Sequence, residues 1–334
     1  MRIEPLDAAG LPRLEALWLD LHAHHQAVAP ELAPFVGDAA SWAARKAYYE
    51  HVLAAGGFAL VARERGADVG YALAAVEPAH WPATFVTADA NAELATLAVR
   101  PGLRGRGVGS ALLDAVDARL EAEGHRDRMI GVIPGNVRAA ALYARRGYVP
   151  TWITLTRFGR PPAVGPTSTA VQIERVPLGE VDTLEPLWHA LHGHHQAVAP
   201  ELGPFVPRAA SWEARRPLLA ATAEDGLLLR AGSAERPLGM ACVTVVRDDP
   251  MWGDTWVTGR DVAETKLLVV SGEARGAGLG STLLDAVDSG LAEAGIGDQV
   301  IGAIAPNEAA IRLYERRGFR PAWLQMTRFE RRLP

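Results

Sequence analysis

The sequence predicts an α/β (α+β) protein built from two copies of one domain, each a mixed sheet covered by helices on both faces. Three observations carry this reading. First, the chain repeats itself: Leu21-His-Ala-His-His-Gln-Ala-Val-Ala-Pro-Glu-Leu-Ala-Pro-Phe-Val36 returns as Leu191-His-Gly-His-His-Gln-Ala-Val-Ala-Pro-Glu-Leu-Gly-Pro-Phe-Val206. Ser41-Trp42 likewise returns as Ser211-Trp212, and Thr154-Leu-Thr-Arg-Phe158 as Gln325-Met-Thr-Arg-Phe329. A repeat this long is a duplicated domain, not a solenoid unit. Second, apolar runs of strand length alternate with single amphipathic helices, which implies a mixed sheet. Third, 334 residues suffice for two domains that each bury a core.

In the first copy, Arg2–Pro5 reads as a short strand, followed by helical stretches over Leu11–Ala27 and Ala39–Leu53. Phe58–Arg63 and Val69–Val76 read as a hairpin, and Ala92–Val99 as a strand. A helix starts near Val108, with Leu112, Ala115, Val116 and Leu120 on one face, and Gly124 marks its end. Arg128–Ile133 is the next strand and Arg138–Arg146 the last helix, with two strands expected after it. Gly159-Arg-Pro-Pro-Ala-Val-Gly-Pro-Thr-Ser168 has the chemistry of a connector, proline, glycine and hydroxyls without periodicity. The expected boundaries are therefore 1–160 and 171–334, with a linker over 161–170.

The feature that points to a ligand is Leu97-Ala-Val-Arg-Pro-Gly-Leu-Arg-Gly-Arg-Gly-Val-Gly-Ser-Ala-Leu-Leu113, nearly repeated as Leu268-Val-Val-Ser-Gly-Glu-Ala-Arg-Gly-Ala-Gly-Leu-Gly-Ser-Thr-Leu-Leu284. A strand, then Arg-Gly-x-Gly-x-Gly, then a helix is a device for holding a pyrophosphate. Gly105, Gly107 and Gly109 are expected to free the backbone and admit a ligand close to it. The unpaired N–H groups and partial positive charge of the helix start stabilise phosphate oxygens. Arg104 and Arg106 add forked donors. In the second copy Arg275, Gly276, Gly278 and Gly280 do the same, and Ala277 replaces the second arginine. A dinucleotide fingerprint needs Gly-x-Gly-x-x-Gly and an acid at a later strand end, and a Walker loop needs Gly-Lys-Ser/Thr. Neither copy has either.

The pattern resembles the GNAT superfamily of acyl-CoA-dependent N-acyltransferases. Its motif Arg/Gln-x-x-Gly-x-Gly/Ala is met by Arg104-Gly-Arg-Gly107-Val-Gly109 and Arg275-Gly-Ala-Gly278-Leu-Gly280. A second motif also occurs twice, as Asn136-Val-Arg-Ala-Ala-Ala-Leu-Tyr143-Ala-Arg-Arg-Gly147-Tyr148 and Asn307-Glu-Ala-Ala-Ile-Arg-Leu-Tyr314-Glu-Arg-Arg-Gly318-Phe319. The resemblance implies two tandem GNAT folds, each a mixed, mostly antiparallel twisted sheet flanked by helices. It implies acetyl-CoA as donor, coenzyme A as product, and direct transfer to an amine, with a small-molecule acceptor expected; a protein amine as acceptor and an acyl-CoA-binding sensor with one or both domains idle are the alternatives.

Acetyl transfer from a thioester to an amine needs a base for the amine, donors for the oxyanion and an acid for the thiolate. The resemblance places Tyr143 and Tyr314 at the general-acid position; a tyrosine packed in the core is the alternative. Glu93 and Glu264 lie where some family members carry the base; a solvent-facing strand carboxylate is the alternative. Lys266 stands two residues after Glu264, on the same strand face, where the first copy has Ala95. A partner cation favours the charged carboxylate, so Glu93 is expected to be the better base and the first copy the likelier catalyst. The resemblance also implies that a β-bulge frees amides near Leu97–Val99 and Leu268–Val270 for the pantetheine arm and the oxyanion. Ser110 and Ser281 open the two phosphate-binding helices, while Asn136 and Asn307 either contact the pantetheine or cap a helix.

His22, His24 and His25, with His192, His194 and His195, have no family explanation. No further ligand set accompanies them and they do not share one helix face, so no metal is expected. In this fold the segment after the first helix usually walls the acceptor pocket, which makes His25, Gln26, His195 and Gln196 candidate substrate contacts; a helix end packing on the other copy is the alternative. Trp42, Trp81 and Trp212 suit either a pocket lining or a core.

Net charge is −5 without a basic block, so nucleic acid is not an expected partner. The single cysteine, Cys242, excludes an intramolecular disulfide and suits a reducing cytoplasm, the expected location. Met1-Arg-Ile-Glu-Pro-Leu-Asp lacks the apolar run of a signal peptide, and no segment has the length of uninterrupted apolar residues that a bilayer requires, so no membrane partner is expected. The sequence leaves oligomeric state open.

Overall fold

The computed structural model describes residues 1–88, 90–161, 171–247 and 252–330. The linker expected over 161–170 lies outside them except for Pro161. The first repeat runs β1 (Arg2–Leu6), α1 (Glu15–Val28), α2 (Asp38–Ala54), β2 (Phe58–Glu64), β3 (Ala67–Pro78), β4 (Ala90–Val99), α3 (Val108–Ala122), β5 (Arg128–Val132), α4 (Val137–Ala144) and β6 (Val149–Arg157). The second follows the same order: β7 (Ile173–Arg175), α5 (Glu185–Val198), α6 (Arg208–Asp225), β8 (Leu227–Gly232), β9 (Pro237–Arg247), β10 (Asp261–Val270), α7 (Leu279–Glu293), β11 (Asp298–Ile304), α8 (Glu308–Arg316) and β12 (Arg320–Arg328). Each repeat thus ends in one strand where two were expected. The expected first helix opens as a 3-10 segment over Ala8–Leu14, and its counterpart Leu178–Leu184 does the same without an internal proline.

All twelve strands form one sheet, in the order β1-β2-β3-β4-β5-β12-β6-β11-β10-β9-β8-β7. The two terminal strands have changed places. β12, from the second repeat, pairs with β5, and β6, from the first, pairs with β11; the two also pair with each other, all antiparallel. Among the described residues, β4–β5 and β10–β11 are the only parallel pairs.

The exchanged strands carry their side chains into the opposite core. Met326 of β12 is buried with Leu94, Leu112, Val116, Tyr143 and Tyr148, and Leu155 of β6 with Leu284, Ile301, Tyr314 and Phe319. Arg157 at the end of β6 is ion-paired to Asp288 of α7 and donates to the Arg317 carbonyl at 2.9 Å. Arg328 at the end of β12 repeats this, with Asp117 of α3 at 2.9 Å and the Arg146 carbonyl at 3.0 Å.

Helices cover both faces, which is why β2 is buried along Phe58–Ala62 without alternation. On one face, Val108, Leu112, Val116 and Leu120 of α3 meet Leu60, Ala72, Ala74 and Ile130. On the other, Leu17 and Trp18 of α1 and Trp42, Tyr49 and Val52 of α2 meet Ala59, Val61, Tyr71 and Leu73. The second repeat is built alike from Trp188, Trp212, Leu219, Met240 and Cys242 on one face and Leu279, Leu283 and Val287 on the other.

Loops lock the repeats together reciprocally. Trp18 Nε1 donates to Ser41 Oγ at 2.9 Å, and Ser41 Oγ to the Asp254 carbonyl of the second repeat at 2.5 Å. Trp188, Ser211 and the Ala83 carbonyl form the same relay at 2.9 and 2.6 Å. These relays explain why Ser-Trp recurs: the serine bolts two helices to the other repeat, and Trp42 and Trp212 fill cores. Trp81 joins Phe85, Trp152 and Phe205 between the repeats.

Candidate active site

The glycine loops form as their sequences require. Gly105 and Gly107 have φ of 79° and 87°, and Gly276 and Gly278 of 80° each, in the left-handed region that L side chains rarely enter. Gly107 and Gly278 stand directly before α3 and α7. A Cβ on Gly105, Gly107 or Gly276 would meet nothing within 4 Å, so the loops leave open space above the helix start. Gly109 differs from the expectation: its backbone is helical, and a Cβ there would make ordinary contacts with Val99 and Leu142 at 3.6 and 3.9 Å, so neither conformation nor space demands glycine. Gly280 is tighter, at 3.2 Å from Leu313. Arg104 Nε donates to the Val99 carbonyl at 3.1 Å, and Arg275 Nε to that of Val270 at 3.3 Å. Each guanidinium is thereby tethered between strand end and loop with its remaining donors free to serve an anion. Arg106 is exposed, and Ser110 and Ser281 lie in the first turns of their helices.

Each strand feeding a loop is bulged. Leu94 pairs with Ala74 and Thr96 with Leu73, leaving Ala95 as the extra residue; Lys266 is the extra residue between Thr265 and Leu267. The β4–β5 ladder covers only Ala92–Leu94, and β10–β11 only Val262–Thr265. Beyond the bulge, Leu97 and Val99 turn their side chains toward α3 while their backbone has no ladder partner on the β5 side. Leu268 and Val270 repeat this on β10. A bulge of this kind re-aims a strand and opens a wedge at a site.

Tyr143 on α4 and Tyr314 on α8 are buried, and burial pushes both phenols far above their ordinary pKa, so each stays neutral and able to donate a proton. Asn136 and Asn307 are N-caps, accepting from Ala139 N at 3.3 Å and Ala310 N at 3.2 Å. His24 and His194 lie against these asparagines and beside Arg104 and Arg275, which places the first helix of each repeat next to its glycine loop.

The other histidines divide. Nε2 of His22 lies 2.9 Å from the Val36 carbonyl, and Nε2 of His192 2.9 Å from that of Val206, so these two hold the following loop. His25 and His195 are buried against Trp18 and Trp152 and are neutral: burial first, then neighbouring cations or histidines, brings both pKa values down to about 3. Gln26 is half-buried, and Gln196 exposed with Nε2 3.3 Å from His192.

The repeats differ most around Glu93 and Glu264. Glu93 is largely buried, and its pKa is pushed up to about 7, chiefly by burial and then by the neighbouring Glu77 carboxylate, with Arg45 opposing. Glu77 and His80 were not singled out from sequence. Register supplies the signal: Ala75 pairs with Glu93, so Glu77, two residues on, shares its face. His80 Nε2 lies 3.9 Å from oxygens of both glutamates, and ligand atoms of the three residues lie within 4.8 Å of one another, the one such grouping among the described residues. Nearby, Tyr49 Oη bonds Tyr71 Oη and Thr96 Oγ1, each at 2.8 Å, beside the bulge.

In the second repeat the corresponding positions are Leu219, Met240 and Leu267, all apolar, and Val246 stands in Glu77's place, opposite Val262. Glu264 Oε2 is held by Lys266 Nζ at 2.5 Å.

A profile of the Acetyltransferase (GNAT) family matches residues 18–148 and again 188–319. The chain is 31% identical to a mycothiol acetyltransferase of Geodermatophilus obscurus over 70% of this chain and 71% of that one. It is 29% identical to a mycothiol acetyltransferase of Nocardia farcinica over 79% of each. A GCN5-related N-acetyltransferase from Sphaerobacter thermophilus shares the fold, with a TM-score of 0.59 at 15% identity, covering 99% of this chain and 96% of that one. No helix among the described residues is long and apolar enough to cross a membrane. Bulged strand, glycine loop and capped last helix recur in both repeats where the family profile matches twice, and the chain belongs to the GNAT acetyltransferase family as a tandem two-domain member.

Proposed function

We propose that this chain moves an acetyl group from acetyl-CoA to the amine of a small molecule by direct transfer in a ternary complex, in its first repeat. The observation that carries the reading is Glu93, a nearly buried carboxyl poised near neutrality two residues before the β4 bulge. A base is most effective with a pKa near the working pH.

The residues present fit the donor. The positive-φ glycines leave open space above the start of α3, where N–H groups and Arg104 and Arg106 suit a diphosphate. The donor supplies an activated acetyl thioester. Glu93 takes a proton from the attacking nitrogen, backbone amides near Leu97–Val99 donate to the oxygen that gains charge, and Tyr143 returns a proton to the departing sulfur.

An alkyl amine reaches the site as an ammonium, and the Glu77, His80 and Glu93 grouping suits one. An ammonium donating at about 2.8 Å to each of three acceptors spaces them about 4.6 Å apart. Zinc at about 2.0–2.1 Å would draw its ligands to about 3.3 Å. The observed 3.9 Å separations of His80 from both carboxylates fall between these two spacings, so the ammonium reading rests on the paired carboxylates and not on the spacing.

A small acceptor is favoured because the second repeat covers the loop that follows α1. Phe35 bridges Trp256, Val36 N donates to the Thr255 carbonyl at 3.1 Å and Val257 N to that of Pro34 at 3.0 Å. An extended peptide would have to displace these pairings. Gln26, half-buried at the end of α1, is the proposed acceptor contact of the first repeat, with the buried His25 beside it in the wall. Both curated relatives are named mycothiol acetyltransferase, so an amine precursor of mycothiol heads the acceptor panel.

The second repeat supports a different reading for itself. It keeps the left-handed Gly276 and Gly278 but has Lys266 on Glu264 and an apolar Leu267 for Thr96. It would bind acetyl-CoA through Arg275, Gly276, Gly278, Gly280 and Ser281 without turning it over. The test is release of free coenzyme A thiol from acetyl-CoA across an amine panel. Amine-dependent release abolished by Glu93→Gln supports the proposal; binding without release under every amine would make the protein a sensor.

A further inference from the structure

One contact between the repeats is not reciprocal. The Ser41 and Ser211 relays present Asp254 and Ala83 to the opposite repeat, and only the first has a side chain that can reach further. Asp254 Oδ2 meets Arg45 Nη2 of α2 at 2.5 Å, with the two side chains 7% and 13% exposed. Thr255 Oγ1 donates to the other carboxylate oxygen at 2.8 Å, which fixes its orientation. Arg45 lies over Trp18, 4.2 Å from the ring centre, and borders Tyr48 and Tyr49. Its counterpart Arg215 lies over Trp188 at 4.5 Å and has no ion pair with a carboxylate among the described residues; the buried Nε of both arginines lacks a partner there.

The cation matters because of what shares its surroundings. The groups acting on Glu93 are Glu77 of β3 and Arg45 of α2; Tyr48 of α2 feels both glutamates, and His80, after β3, lies 3.9 Å from Glu93. Lys266 of the second repeat, which acts on His80, is itself held by Glu264. Among the described residues Arg45 is the cation set against Glu93: it borders Tyr49, whose Oη bonds Thr96 beside the β4 bulge three residues after Glu93, and without its carboxylate it would be an uncompensated buried charge.

We propose that Asp254, from the second repeat, is a positioning residue for the first repeat's active site: it holds the Arg45 guanidinium, so that Glu93 is left free to accept the substrate's proton. The inference rests on the reading of Glu93 as the working base. It gives the second repeat a task in catalysis independent of whether its own site turns over, and it accounts for an aspartate on one side of a loop exchange that is otherwise symmetric.

The test follows Glu93 itself in the full chain. The infrared carbonyl band of its protonated carboxyl is identified as the band missing from Glu93→Gln, and its intensity is titrated with pH. In the parent protein the midpoint is expected near 7. In Asp254→Asn the unpaired Arg45 turns its charge on Glu93, and the midpoint falls by about 1 unit or more. In the double variant Asp254→Asn/Arg45→Met it returns to within about half a unit of the parent, since the cation is gone with its partner. A merely structural Asp254 would leave the midpoint in place or leave the double variant as low as the single, and either result overturns the proposal. If Asp254→Asn alone does not fold, the double variant and Arg45→Met decide: Arg45→Met must raise the midpoint above the parent's, and a midpoint that does not rise overturns the proposal. The two readings separate in the acetyl-transfer assay. Full activity in Glu93→Gln removes the base and the proposal with it, whereas an inactive Glu93→Gln with an unmoved Asp254→Asn midpoint removes the proposal alone.

Discussion

Lys266 Nζ is bonded to Glu264 Oε2 at 2.5 Å, and the residue that bulges at the same point of the first repeat is Ala95. One side chain on the bulge thus separates two otherwise equivalent carboxylates. In the second repeat the base candidate is committed to an ammonium of the protein; in the first it faces Glu77 and His80. Glu93→Gln is expected to lower kcat for acetyl transfer by about 10²–10⁴-fold, the usual worth of a positioned base. Glu264→Gln is expected to change it less than about threefold. Initial rates of coenzyme A release decide, and a larger loss from Glu264→Gln would reverse the assignment of the repeats.

The burial that raises Glu93 also carries a pH signature in stability. Its pKa is 4.5 as an ordinary glutamate and about 7 in the folded protein, so between these values the folded state holds the proton more tightly than the unfolded chain. The resulting stabilisation is complete below about pH 4.5 and is lost as pH rises through 7, at most on the order of 3 kcal/mol. Glu93→Gln has no proton to lose. Its melting temperature relative to the parent is expected to climb by a few degrees between pH 5 and pH 8. Over the same interval kcat/KM of the parent should rise to a plateau above about 7, as the carboxyl becomes a base. A melting difference that stays flat with pH would show that Glu93 titrates normally.

Gly107 and Gly278 provide the count of donor sites. Alanine at either must adopt a left-handed conformation, at a cost of about 1–2 kcal/mol, or rotate the N–H groups at the start of α3 or α7 out of line. Native mass spectrometry with acetyl-CoA is expected to find two ligands on the parent chain and one on each of Gly107→Ala and Gly278→Ala. Only Gly107→Ala should lose activity with it. Two ligands on both variants would mean that the loops tolerate the side chain and that the diphosphate is held elsewhere.

The duplication, the glycine loops and the last-helix motifs were legible because each rests on local chemistry that a sequence displays: glycine where φ is positive, asparagine where a helix starts, apolar residues at helical spacing. The Asn136 cap and the end of α3 before Gly124, with φ of 81°, follow directly from such signals. The contribution of Glu77 and His80 was not legible, because it depends on which strand residue faces Glu93, and a one-residue bulge shifts that register. Asp254 and Arg45 are further still from local inspection, since they lie far apart in sequence and meet only because loops of the two repeats interlock. The histidines show the opposite difficulty. Six of them recur as a conspicuous pattern, yet His22 and His192 hold backbone and His24 and His194 brace the asparagine caps, roles that any sequence-based reading competes against.

The exchanged strands make a prediction about the halves themselves. Among the described residues β6 pairs only with β11 and β12, and β5 has β12 where an unexchanged domain would carry its own last strand. A fragment of residues 1–161 therefore leaves β6 unpaired and opens an edge on β5, with the apolar positions filled by Leu324 and Met326 exposed beside Ile130 and Tyr143. Such an edge is a template for another chain. The repeats are alike, so two copies of 1–161 can exchange β6 as the repeats exchange β6 and β12, and the fragment is expected to run as a dimer or to aggregate. Adding residues 171–334 should convert it to a one-to-one complex held by Arg157–Asp288 and Arg328–Asp117. Sedimentation equilibrium measures this directly. A monomeric 1–161 that melts cooperatively would mean that β6 folds back beside β5 when its partner is removed, and that the exchange is a consequence of tethering the repeats, not a requirement of either one.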